Sequence, residues 1–108
     1  MAKYLFEAHY NATGAKGVVS AGGSARRAAT AKAAESIGGR LESFYFAFGG
    51  VDAYVVIDVP DNVSAAAMAL AVNQSGAATA RTVVLITPED IDKAAKMAAA
   101  SAYRPPGA

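Results

Sequence analysis

The chain has 108 residues, 54% of them apolar, with ten Lys plus Arg against nine Asp plus Glu, one histidine and no cysteine. That length suits a single domain, and a formal charge of +1 supplies neither the basic field of a nucleic-acid binder nor an acidic tail. The missing cysteines exclude disulfides, thiolate metal sites and cysteine nucleophiles, and one histidine excludes a multi-histidine zinc site within one chain.

Lys3 and Glu7 interrupt the apolar start of the sequence, so no signal peptide is expected there. No segment approaches the about 20 apolar residues that a membrane-crossing helix needs. The expected location is therefore cytoplasmic, with no membrane partner. Much of the apolar fraction is alanine, which favours slim helices.

Tyr4 to Tyr10 reads as a first strand, with Tyr4, Phe6, Ala8 and Tyr10 on one face and Leu5, Glu7 and His9 on the other. Asn11-Ala12-Thr13-Gly14 reads as a turn, and 14–20 as a loop or an extra turn. Ser24 to Ile37 is rich in helix formers, with Ser24 as the expected N-cap and Gly38 as the stop. Leu41 to Phe48 and Ala53 to Val59 form an expected hairpin around Gly49-Gly50-Val51-Asp52, a type II′ turn with Gly50 at positive φ. That register sets Phe48 beside Ala53, Phe46 beside Val55 and Phe44 beside Ile57, and turns the three phenylalanines into the core.

After Pro60, Asp61 or Asn62 caps a helix whose apolar stripe is Val63, Ala66, Ala67, Leu70 and Ala71, ending near Gly76. Thr79 to Ile86 is a β-branched fourth strand. Thr87-Pro88-Glu89-Asp90 opens a last helix with Ile91, Ala94, Ala95, Ala98 and Ala102 as its inner stripe. The order βαββαβ plus a C-terminal helix is that of a ferredoxin-like α+β sandwich, one domain over 1–103 with an irregular tail at 104–108. Its helices cover one sheet face and leave the other bare.

Ile37-Gly38-Gly39-Arg40, Ser43-Phe44-Tyr45, Phe48-Gly49-Gly50-Val51-Asp52, Val59-Pro60-Asp61, Arg81-Thr82 and Thr87-Pro88-Glu89 resemble, in order and spacing, the GYD-domain proteins. The resemblance runs from Tyr4 to about Lys93 and departs at the Gly-Tyr-Asp signature, where Val51 replaces the tyrosine while Gly50 and Asp52 match. It implies a small bacterial protein of the dimeric α/β-barrel type, two sheets meeting across a dimer axis, and no particular chemistry. The implied partner is a second copy of the chain.

His9 is the natural candidate for proton transfer, and Glu7 shares its strand face; together they are the candidate catalytic pair, against a plain polar contact between subunits. Tyr45, Tyr54 and Asp58 share a face that Arg81 can join, either as a pocket for a small ligand or as an interface in which Asp58 and Arg81 pair. Gly50 and Asp52 read as turn residues. The segment 17–23 reads as a flexible linker or a lid. RNA-recognition domains share the element order, but their basic glycine-aromatic motif is missing. No cofactor, metal or nucleic acid is expected. The reading that follows is a non-enzymatic oligomeric module binding a small ligand or partner; the alternative is a cofactor-independent enzyme acting on a small organic substrate.

Overall fold

The computed structural model describes residues 1–107. Strands β1 (Ala2–Tyr10), β2 (Arg40–Phe46), β3 (Ala53–Val59) and β4 (Ala78–Leu85) form one antiparallel sheet in the order β2-β3-β1-β4. Helices α1 (Ala12–Ala21), α2 (Gly23–Ser36) and α3 (Asn62–Gln74) lie on one face of it, and α4 (Pro88–Ala99) follows β4. This is the expected ferredoxin-like α+β arrangement with a C-terminal helix.

Alternation along the two central strands makes the core. Tyr4 and Phe6 of β1 and Ala53, Val55 and Ile57 of β3 point to the helices and are buried with Ala34, Ala65 and Met68. Tyr4 reaches through the layer to donate its hydroxyl hydrogen to Asn62 Oδ1 at the start of α3.

The expected turn and loop at 11–20 is instead helix α1. Asn11 is its N-cap: the side chain accepts from the Gly14 amide at 3.0 Å and donates to the Gly76 carbonyl. Gly14 is required by contact, since a Cβ there would strike the Ala77 carbonyl oxygen. The linker or lid reading of 17–23 falls for the same reason: these residues are the end of α1, a break at Gly22 with φ of 88°, and the start of α2. Ser24 consequently lies inside α2, and Gly22 holds the N-cap position.

The hairpin loop is longer than expected. Phe46 pairs with Ala53, Phe44 with Val55 and Leu41 with Ile57, and the loop spans 47–52, closed by the Ala47 amide donating to the Asp52 carbonyl at 2.8 Å. Gly50 is not among the positive-φ glycines, so there is no type II′ turn. A slip of two residues preserves faces, and Phe44 and Phe46 still turn to the helices. Phe48, displaced into the loop, is fully exposed rather than core. A bulge between Leu41 and Ser43 absorbs Glu42, which simple alternation would turn to the helix side with Phe44.

Helix α3 is capped by Asp61, which accepts from the Ser64 amide at 2.9 Å. Its buried side is Ala65 and Met68, whereas Val63 and Leu70 of the expected stripe are exposed. A helix that is apolar all round carries no sharp phase, so tertiary contact decides which side turns in. Helix α4 begins as expected at the Thr87 cap, but none of its residues is buried. Its stripe at Ile91, Ala94, Ala95 and Ala98 faces no core of this chain, and Ala102 lies past its end. The radius of gyration of 17.2 Å, against the about 13 Å typical of a compact chain of this size, reflects that extension. Residues 100–107 form no helix or strand, so the irregular segment begins before the expected tail at 104–108, of which Ala108 lies outside the described residues.

A Cβ on Gly39 would collide with the Asp58 carbonyl oxygen and Val59, whereas one on Gly17, inside α1, meets nothing within 4 Å. Gly39→Ala is expected to lower the melting temperature by several degrees and Gly17→Ala to raise it, by about 0.5–1 kcal/mol of helix propensity. Thermal unfolding followed by circular dichroism checks the pair; the opposite order would contradict the close approach of β2 to β3.

Candidate functional site

The face of the sheet without helices is organised in cross-strand rungs. One runs Tyr45–Tyr54–Glu7–Arg81 across all four strands, the next Ser43–Val56–Leu5–Val83, and the third Arg40–Asp58–Lys3–Leu85. His9 and Thr79 continue beyond the first rung. An aromatic and charged rung, an apolar rung and an ionic rung are therefore stacked along one open surface.

Glu7 and His9 share that surface, but no hydrogen bond joins them among the described residues, and His9 is exposed. Tyr45 and Tyr54 face each other in register and are 71% and 40% exposed, so both side chains are open to solvent in a single chain. Arg81 is paired in register with Glu7, yet no ion pair between them forms within the chain.

Asp58 does not join Arg81. Four residues along β3 from Tyr54, it sits about 13 Å from the first rung. Its carboxylate accepts from Lys3 at 2.7 Å and from Arg40 at 3.1 Å, and Lys3 also bonds Glu42. The β2 bulge is what brings Glu42 to this side. Asp58 is only 6% exposed although it lies on the uncovered face, because these longer side chains fold over it. The Lys3 ammonium, and after it the Arg40 guanidinium, hold its carboxyl below the usual carboxylate range against the opposing effect of burial. Hydrogen bonds to Asp58 and Glu42 hold Lys3 above the usual lysine range.

Asp52 has a different duty. Its carboxylate accepts from the Tyr10 amide at 2.8 Å and its own amide donates to the Ala8 carbonyl at 2.9 Å, so it ties the hairpin loop to the end of β1. Gly50, in the open part of the same loop, has free space around it. A cavity of about 490 Å³ lies on the other side of the sheet, under the helices; none of Glu7, His9, Tyr45, Tyr54, Asp58 or Arg81 lines it.

The sequence model of the GYD domain matches residues 4–95. The chain belongs to the GYD-domain family. No curated protein and no solved structure matches it. Within this GYD domain the signature acid, Asp52, is an architectural clamp, and Val51 beside it is half-buried in the loop. No helix among the described residues is long and apolar enough to cross a membrane.

The sequence reading missed Lys3, Arg40 and Glu42. Lys3 could have been found, since it shares the parity of Leu5 and Glu7; Glu42 could not, because its side depends on the bulge.

Because the folded pKa of Asp58 is depressed, its contribution to stability is present above the unfolded carboxylate range, near about 3.9, and is lost as pH falls through the folded value. Asp58→Asn should therefore lower the melting temperature by several degrees at neutral pH and flatten the acid limb of the stability profile below about pH 4. An unchanged acid limb in denaturant titrations from pH 2 to 7 would place the acid-labile group elsewhere.

Proposed function

We propose that this GYD-domain protein is a non-enzymatic binding module of the cytoplasm that works as a homo-oligomer, with the open sheet face of one copy against that of another. The observation that carries the reading is the open face itself. Leu5, Val56, Val83 and Leu85 form a continuous apolar strip on it, flanked by the rung that ends in two exposed tyrosines. Such a strip in water is costly at about 25 cal/mol per Å² of apolar surface, and interface cores favour tyrosine and exclude charge.

The polar groups support self-association in particular. Glu7 and Arg81 are adjacent and have no ion-pair partner among the described residues, so a two-fold axis through this face lets the acid of each copy meet the base of the other. Lys3, Asp58, Arg40 and Glu42 already neutralise one another and bring no uncompensated charge into the contact. An enzyme built on His9 is less well supported, because His9 is exposed, is not held by Glu7, and stands across the sheet from the cavity under the helices.

Tyr45→Glu and Val83→Glu place a charge on the strip without touching the helix-side core. Sedimentation at tens of micromolar should give at least twice the chain mass for the natural protein and a shift toward the single-chain mass for both variants, with the far-ultraviolet circular dichroism retained. A natural protein that sediments as one chain would contradict the proposal.

A further inference from the structure

The helix layer does not fill the space above the sheet. Helix α2 presents Ala25, Ala29 and Ala33, one turn apart, toward the region over Phe6 and Phe44, and α1 contributes Gly14 and Gly17. A helix lined with alanine ordinarily settles close against its neighbour, since interiors pack without voids much larger than a water molecule. Here α2 and α3 stand apart, and about 490 Å³ remains between them, α1 and the sheet. That volume is within the about 300–1,000 Å³ of small-molecule sites.

The lining is mostly apolar; its polar members include Thr13, Arg26, Thr30 and Ser75, and the Arg26 guanidinium lies near the Tyr10 phenol. Arg26 has no carboxylate partner within ion-pair distance among the described residues. It also occupies the first turn of α2, a turn without an acidic residue, so its charge is repelled by the positive end of the helix dipole. Arg26 is exposed at that end of the helix, at the edge of a mostly apolar cavity and with no ion-pair partner among the described residues, an arrangement that a bound carboxylate would complete. Burial holds the Tyr10 phenol above its usual range, against the pull of Arg26, so the ring presents a hydroxyl donor at neutral pH.

We propose that the cavity between α1, α2, α3 and the sheet binds a small carboxylate with an apolar chain or ring, its body against Phe6, Phe44 and Met68 and its carboxylate on the Arg26 guanidinium. The ligand class rests on the binding-module reading, but the site is on the opposite side of the sheet from the subunit contact. Sedimentation therefore reports on the contact and ligand titration on the cavity, and either can fail alone.

The test uses decanoate and 2-naphthoate as probes, with 1-decanol as the uncharged control, titrated into the full chain by calorimetry and by methyl NMR of alanine and methionine. Saturable binding of at least one carboxylate is expected, with shifts at Ala29, Ala33 and Met68. Arg26→Gln should weaken carboxylate binding by about tenfold to a hundredfold, the usual range for a charge-assisted hydrogen bond, and change decanol binding less than threefold. Ala29→Phe should abolish all binding by occupying the space; if it does not fold, Ala71→Leu, on the α3 side of the same cavity, serves instead. Three results would overturn the proposal: neither carboxylate binding at millimolar concentration, Arg26→Gln leaving carboxylate affinity unchanged, or contacts from Ile91 and Met97 methyls to Met68, which would show α4 of a second copy filling the cavity.

Discussion

Strand β1 lies inside the sheet, paired along one edge with β3 and along the other with β4. It is hydrogen-bonded on both sides over nearly its full length, so its residues have no freedom to choose a face. Tyr4 and Phe6 must go to the helices, and Leu5, Glu7 and His9 must go to the other side. The neighbouring strands inherit this division through their register, and with it come both a core and a bare surface. The core is then narrow because the helices are made largely of alanine, and the bare surface is apolar because β3 and β4 place Val56 and Val83 beside Leu5.

The identity of most elements, and the facing of the central strands, were legible in the sequence. The alternation Tyr4–Phe6 against Leu5–Glu7 and the Thr87-Pro88-Glu89-Asp90 start of the last helix stand in the structure, and of the two expected caps for α3, Asp61 or Asn62, it is Asp61 that serves. Three things were not legible. Asn11 reads equally as a turn residue or a helix cap, and only its bond to the Gly14 amide, with Gly14 pressed against Ala77, separates the two. Helix α3 has small or apolar residues on every side, so Met68 rather than Leu70 turns inward for reasons that lie in the sheet beneath it. The bulge at Glu42 has no local sequence mark; its benefit is an ion pair with Lys3, a residue 39 positions away.

The candidate site was legible as a face and not as a set of contacts. Tyr45, Tyr54, Glu7 and Arg81 do share one rung, which period two makes accessible from sequence once pairing is known. Asp58 joins Lys3 and Arg40 because its distance along β3 fixes it to another rung. The cavity was not anticipated, since an alanine stripe at 25, 29 and 33 reads as close packing until the separation of the helices is known. The two sides of the sheet thus offer two different surfaces: one broad and largely apolar with charged groups along it, the other a part-open cavity beneath the helices with Arg26 in its lining. Helix α4, standing clear of both with Ile91 and Met97 exposed, adds apolar surface beyond the sandwich itself.

The central claim is that a second copy covers the open sheet face. Its most direct test is an isotope-filtered NMR experiment on protein mixed from differently labelled chains, which detects only contacts between copies. The account predicts contacts from the Tyr45 and Tyr54 rings of one copy to the Leu5, Val56 and Val83 methyls of the other. An oligomer whose intermolecular contacts come from α4 or from the outer side of α3, with Tyr45 and Tyr54 still open to solvent, would contradict it.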